Sequence, residues 1–397
     1  MKPLNFIKEG LLQERTILII YLLAAIAVSI HLVWQGNSHV FVPGGQPYTF
    51  YNNYIIFKES FFNLISGRDL YILYPEKQWD LYKYSPAFAL FMGSMAYLPD
   101  VAGLAIWNSL NALVLFFAIR SLPLSNRSRN LILLFIFIEM LGSLQNSQSN
   151  GLMAGSIILA GHFLRKGKVQ WAALWLVIGT FIKIYAAVGF VLFLFYPGKL
   201  RFLLYAALWT VIFAAVPLVV TSPGVLWDQY QSWARMMAND QSTSYGYSVM
   251  GWLSTWFGLD GIKTAVTLAG ILLFFVPVAR LSLYKNDLFR LLFLAHILVW
   301  VIIFNHKAES PTFIIAVSGI AIWYFSQAPV RWRTLLLWFV FIGTCLTPTD
   351  LFPPDLRKNF FVPYVIKAFP PIVLWLVLIY QIMALKPKSI ARQETGV

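Results

Sequence analysis

The chain has 397 residues, 59% of them hydrophobic and 12% charged, with a formal net charge of +14. A soluble core of this size cannot hide so much apolar surface, which excludes an ordinary soluble enzyme and makes a bilayer the solvent for most of the chain. The positive charge does not imply nucleic acid, because the basic residues sit in short loops between apolar runs.

In chain order, the run Thr16–Trp34 follows basic residues and is not followed by a small-residue cleavage site, so it reads as a retained anchor helix. Residues 50–67 place Asn53, Ser60, Asn63 and Gly67 at near-helical spacing, with Tyr54, Phe57, Phe61, Phe62 and Ile65 as a second stripe. This pattern predicts an interfacial helix with its aromatic side in lipid. The short, proline-bounded run 85–99 is expected to dip into the outer leaflet and return, since a full crossing would place Arg120, Arg127 and Arg129 outside. Further crossings are expected near 100–119, 130–146, 151–165, 201–221, 261–280, 291–305, 311–327, 334–348 and 366–385. Residues 169–196 are too long for one span and carry Lys183 in the middle, which predicts a tight hairpin or re-entrant pair with Lys183 at its tip.

With the N-terminus inside, 19 of the 30 basic residues fall in the inner segments, from Lys2 and Lys8 through Arg165, Lys199 and Arg290 to Lys388 and Arg392. Eleven of the 16 acidic residues, Asp80 and Asp240 among them, fall outside, so any chemistry is expected there. The result is an all-α polytopic membrane protein, one domain over 1–397, with about 10–13 crossings and both termini cytoplasmic. Its long outer loops are 36–99 and 222–260. The lone Cys345 lies in an apolar run and permits no intrachain disulfide or cysteine metal site. No carboxylate or histidine cluster has metal-ligand spacing, and no metal or other cofactor is expected.

No soluble-enzyme motif is present, so the candidates are polar residues at the outer ends of apolar helices, where a polar group is costly. They lie in 47–71 with 80–111, in 145–168 with 178–195, in 228–253 and in 305–323. Glu139 and His162, inside expected spans, read as hydrogen-bonded between helices in preference to a proton relay. Trp227, Trp233 and Trp252 read as interface anchors, with carbohydrate stacking as the alternative.

Taken in order, Gly67, Asp69, Leu70 and Tyr71, then Tyr84 and Pro86 with Leu98-Pro99, then Ser147-Gln148-Ser149-Asn150 and Lys183-Ile184 resemble motifs of glycosyltransferase family 87. That family includes the polyprenyl-phosphate-mannose-dependent mannosyltransferases of bacterial glycolipid assembly, and the resemblance covers roughly residues 15–330. It implies a GT-C type bundle in the bacterial inner membrane, a polyprenyl-phosphate sugar as donor (a hexose, mannose by the resemblance), and a lipid or glycan acceptor on the outer face. A first-loop carboxylate would then act as general base in an inverting transfer. The position implied for that carboxylate, fourteen residues before Gly67, is Asn53, and an amide is not a base. Glu59, Glu309 and Asp69 are the candidate substitutes. For the leaving phosphate the candidates are His306, which matches a family histidine, with Lys307 and Lys183; for sugar hydroxyls they are Gln148 and Asn150. The alternative on the same scaffold is a non-catalytic or transport protein for a lipid-linked glycan.

Overall fold

The computed structural model describes residues 13–239 and 245–386. Of the charged residues used to orient the chain, Lys2, Lys8, Asp240, Lys388 and Arg392 lie outside the described residues.

Helix α1, Glu14–Trp34, buries Ile17, Tyr21, Ala25, Ser29 and Leu32 and turns Ile19, Leu23, Ile26 and Ile30 outward. An apolar stripe facing away from the protein, opposite a face that buries a serine and a tyrosine hydroxyl, is the pattern a lipid surround requires. Strands β1 (Asn37–His39) and β2 (Tyr48–Thr49) pair antiparallel in the following loop and lead into α2, Asn52–Ile65. A helix stands where the spacing places it, but its aromatic stripe is covered by protein and not by lipid as expected. Tyr54, Phe57 and Phe61 are buried against α3 (Pro86–Ala96) and α4 (Asp100–Arg120), and only Ile65 of that stripe is exposed. Two glycines permit this close approach: a Cβ on Gly93 would meet the Phe61 ring at 2.4 Å, and one on Gly103 the Tyr54 hydroxyl at 1.8 Å. Helix α3 starts sharply, with Pro86 in its first turn and the Ser85 hydroxyl accepting from the Phe88 amide at 3.2 Å. Its 11 residues reach only about 16 Å, too short to cross a bilayer.

Helices α5 (Asn126–Gln145) and α6 (Asn150–Arg165) follow, then α7 (Val169–Ile182) and a 3-10 run, Ile184–Phe195. The last two form the expected hairpin, with Lys183 in extended conformation at the tip. Its arms close over Gly179, whose Cβ would lie 3.1 Å from Ala186, and over Gly189, whose Cβ would lie 2.5 Å from Leu176. The chain continues through α8 (Lys199–Ala215), α9 (Pro223–Asn239), α10 (Val249–Phe257) and α11 (Lys263–Phe275). Helices α12 (Asp287–Ile303) and α13 (Phe313–Phe325) are buried almost throughout and form the centre of the bundle. Helices α14 (Arg331–Val340), prolonged by a π turn over Phe341–Leu346, and α15 (Phe369–Ala384) complete it.

Each expected crossing thus holds a helix, and among the described residues five helices are long and apolar enough to cross a membrane: Glu14–Trp34, Asp100–Arg120, Asn126–Gln145, Lys199–Val219 and Ile366–Ala384. The protein is an all-α polytopic membrane protein. Its two ends differ in chemistry. At one, Arg120 reaches Glu14 and Asn130, Arg165 lies 3.5 Å from Asp287, and Arg290 donates to the Phe195 carbonyl at 2.8 Å. This basic end is built from the loops beyond α4, α6, the 3-10 run and α11. The other, loop-rich end carries the 36–99 segment.

Between the ends, buried polar groups bond across helices, as lipid demands. Tyr21 Oη donates to the Leu133 carbonyl at 2.7 Å, and Asn108 Nδ2 to Ser29 Oγ at 3.0 Å. His162 Nδ1 lies 2.9 Å from the Ser121 carbonyl, and Glu139 is paired with Lys367 Nζ at 2.8 and 3.0 Å. Interhelical bonding therefore accounts for both residues, although sequence did not single out Lys367 as the partner. Of the three tryptophans, Trp227 is exposed, Trp233 lies beside Tyr230, and Trp252 stacks on Phe369 with ring centroids 5.5 Å apart.

Candidate functional site

The site is assembled where three chain breaks meet at the loop-rich end. The first break is the α5–α6 junction. Ser147 adopts φ +52°, left-handed backbone that turns the chain between two helices and points Gln148 and Asn150 inward. Its carbonyl is held by the buried Trp107 Nε1 at 2.8 Å. The second is the hairpin tip, where Lys183 leaves helical geometry and its Nζ donates to Asn150 Oδ1 at 2.8 Å, with Gln148 Oε1 at 3.5 Å. The third is the α12–α13 connection, Phe304–Thr312. There Glu309 immediately precedes a proline-started 3-10 turn, and its carboxylate accepts from Gln148 Nε2 at 2.6 Å. Asn150 Nδ2 also donates to Gln148 Oε1 at 2.7 Å and to the Pro311 carbonyl at 2.9 Å. One network therefore runs from Glu309 through Gln148 to Lys183 and Asn150, with each amide oriented by its neighbours.

This network opens on a cavity of about 340 Å³. Asn53, Gln148, Lys183, His306, Lys307 and Glu309, widely separated in sequence, all line it. Asn150 is fully buried behind the wall as the support of Lys183 and Gln148. Asn53 Nδ2 donates to the Asn146 carbonyl at 2.8 Å, tying α2 to the end of α5.

Two predicted residues are elsewhere. Glu59 is ion-paired with Lys77 and does not line the cavity. Six residues beyond Asn53 on a helix is a rotation of about 240°, which turns Glu59 to another face. Asp69 caps the loop after α2, accepting from the Tyr71 amide at 2.9 Å and from Ser232 Oγ at 2.7 Å, and so binds the first loop to α9. Conversely, Asp80, Lys83, Tyr84, Tyr185 and Asn305 line the cavity although sequence assigned them no role there. Asp80 is half-exposed and bridged to Lys83 at 3.1 Å. Burial, reinforced by the charges of Glu309 and Asp80, pushes the Tyr84 phenol well above its usual range, so it stays neutral. The signal available for Asp80 and Tyr84 was their place in the Asp80–Pro86 segment just ahead of α3.

Beside the polar cavity lies an apolar groove of about 220 Å³. It is lined by Phe88, Leu110, Leu152, Trp175 and Phe213, and Ile182 belongs to both. A polar chamber holding acidic and basic side chains at the end of a helical bundle, next to an apolar groove, suits a reaction on a molecule that is part lipid and part polar. The model of glycosyltransferase family 87 matches residues 82–304, more than half of the chain, and the chain belongs to that family. The protein is thus a membrane-embedded glycosyltransferase. No curated protein matches it.

Proposed function

We propose that the protein transfers a hexose, mannose by the family resemblance, from a polyprenyl-phosphate sugar to a lipid or glycan acceptor. The reaction occurs at the loop-rich end, on the outer face of a bacterial inner membrane, with the basic end and both termini cytoplasmic. The observation that carries this reading is the meeting in one cavity of the Glu309 carboxylate with Lys183, His306 and Lys307, next to the apolar groove. The groove suits an isoprenoid chain, and the three basic groups suit its phosphate.

In this mechanism the acceptor hydroxyl oxygen attacks the anomeric carbon while its proton passes to Glu309. The bond from the anomeric carbon to the phosphate oxygen breaks, the electron pair leaves with the polyprenyl phosphate, and the configuration inverts. Lys183, braced by Asn150, offsets the charge developing on that phosphate. Tyr185 lines the cavity, and its buried hydroxyl has no hydrogen-bond partner among the described residues.

The test is Glu309→Gln in nanodiscs supplied with a polyprenyl-phosphate hexose. Loss of a general base lowers turnover roughly 10²–10⁴-fold, with donor binding retained. A Glu309→Gln protein that transfers at the wild-type rate overturns the role of Glu309. Donor binding by wild type with no transfer to any acceptor overturns catalysis in favour of a carrier.

A further inference from the structure

Glu309 lines two cavities. Besides the chamber just described, it lines a second cavity of about 400 Å³ with Tyr247, Ser254, Thr255 and Ser310. Through Tyr247, Ser310 and Val362 this continues into a space of about 350 Å³. The side chains lining that space include Arg357, Lys358 and Lys367 and no acidic residue. Lys367 is held from beneath by Glu139 at 2.8 Å, and Arg357 is aimed by Asp350 at 2.7 Å, itself almost fully exposed and outside the lining. The extended space is therefore hydroxyl-bearing and aromatic next to Glu309 and basic at its far end.

From this the geometry points to the second cavity as the acceptor site, and to an acceptor glycan that carries an anionic group. The inference rests on the reading of Glu309 as the base. A single displacement needs the acceptor oxygen opposite the leaving phosphate, with the base beside the acceptor. Glu309 is the residue common to the linings of both cavities, which suits it to meet both conditions when the donor fills the first. Ser254, Thr255 and Tyr247 offer partners for sugar hydroxyls, and Arg357 with Lys358 would hold a phosphate or carboxylate at the distal end of the acceptor. The reacting groups would then meet only when both cavities are filled.

The experiment compares binding of three probes to the full chain in nanodiscs: an octyl hexoside, its 6-phosphate and the corresponding octyl hexuronide. Charge-assisted hydrogen bonds in a partly buried site predict that an anionic probe binds about tenfold or more tightly than the neutral one. That preference falls with added salt, shrinks in the exposed-residue variant Lys358→Ala, and is lost in Arg357→Ala/Lys358→Ala. A stronger response to the 6-phosphate identifies a phosphorylated acceptor, and one to the hexuronide an acidic sugar. Equal binding of all three probes, or a preference that survives the double variant, overturns the proposal. Binding of polyprenyl-phosphate hexose is measured alongside and reports on the first cavity. If it fails while the anion preference holds, the donor reading falls and the basic cavity stands.

Discussion

Gln148 and Glu309, 161 residues apart, are joined by a 2.6 Å hydrogen bond from Gln148 Nε2 to the Glu309 carboxylate. The same side chain accepts, through its Oε1, from Asn150 at 2.7 Å. Lys183, whose Nζ bonds Asn150, lies within 3.5 Å of that oxygen. Gln148 thus sets the distance between the Glu309 carboxylate and the Lys183 ammonium group. Gln148→Leu is expected to lower kcat roughly 10–100-fold while leaving the KM for donor within about threefold, since the displaced groups remain in the cavity. Steady-state kinetics with varied donor checks this; a pure KM effect would contradict a positioning role.

Ser147 holds a left-handed backbone conformation at φ +52°, and its buried hydroxyl has no partner among the described residues. A non-glycine residue there costs about 1–2 kcal/mol. Ser147→Gly should therefore raise the melting temperature in detergent, and Ser147→Val should lower it.

Gly246 has φ +54°, and a Cβ there would lie 2.8 Å from both the His306 and Ala308 carbonyl oxygens. Gly246→Ala must push the 306–309 segment away from the second loop. We expect transfer to fall at least about tenfold from a misplacement of this kind, while circular dichroism still reports a helical protein. Unchanged activity would show that the segment tolerates the shift.

The buried pair Glu139–Lys367 is a structural tie between α5 and the turn before α15. Lys367→Met alone leaves a carboxylate unpaired and should cost about 3–5 kcal/mol, whereas Glu139→Leu/Lys367→Met should recover most of that loss. Denaturant titration of both variants distinguishes them. A double variant no more stable than Lys367→Met would contradict the role of a structural tie.

Much of the fold was legible from sequence because hydropathy is local. Residues 169–196 were too long for one span and carried a lysine, and the structure breaks helix α7 from its 3-10 partner at Lys183. The run 85–99 was too short to cross, and it forms the 11-residue helix α3. The aromatic stripe of α2 misled because periodicity tells which residues share a face but not what covers it. Here α3 and α4 cover Tyr54 and Phe57, where lipid was expected.

The same division holds at the site. Sequence alone determined that Asn53, Gln148, Lys183, His306, Lys307 and Glu309 were polar residues at helix ends in a greasy chain, since the cost of burying such groups depends only on residue type and hydrophobic context. Tertiary structure alone decided that these six share a cavity, that Glu59 turns to Lys77 and Asp69 to Ser232, and that Asp80 and Lys83 join the cavity's lining. It also decided that Lys367 is the partner of Glu139, 228 residues away. Those outcomes depend on the rotation of each helix and the packing between distant segments, quantities that hydropathy and spacing along one chain do not contain.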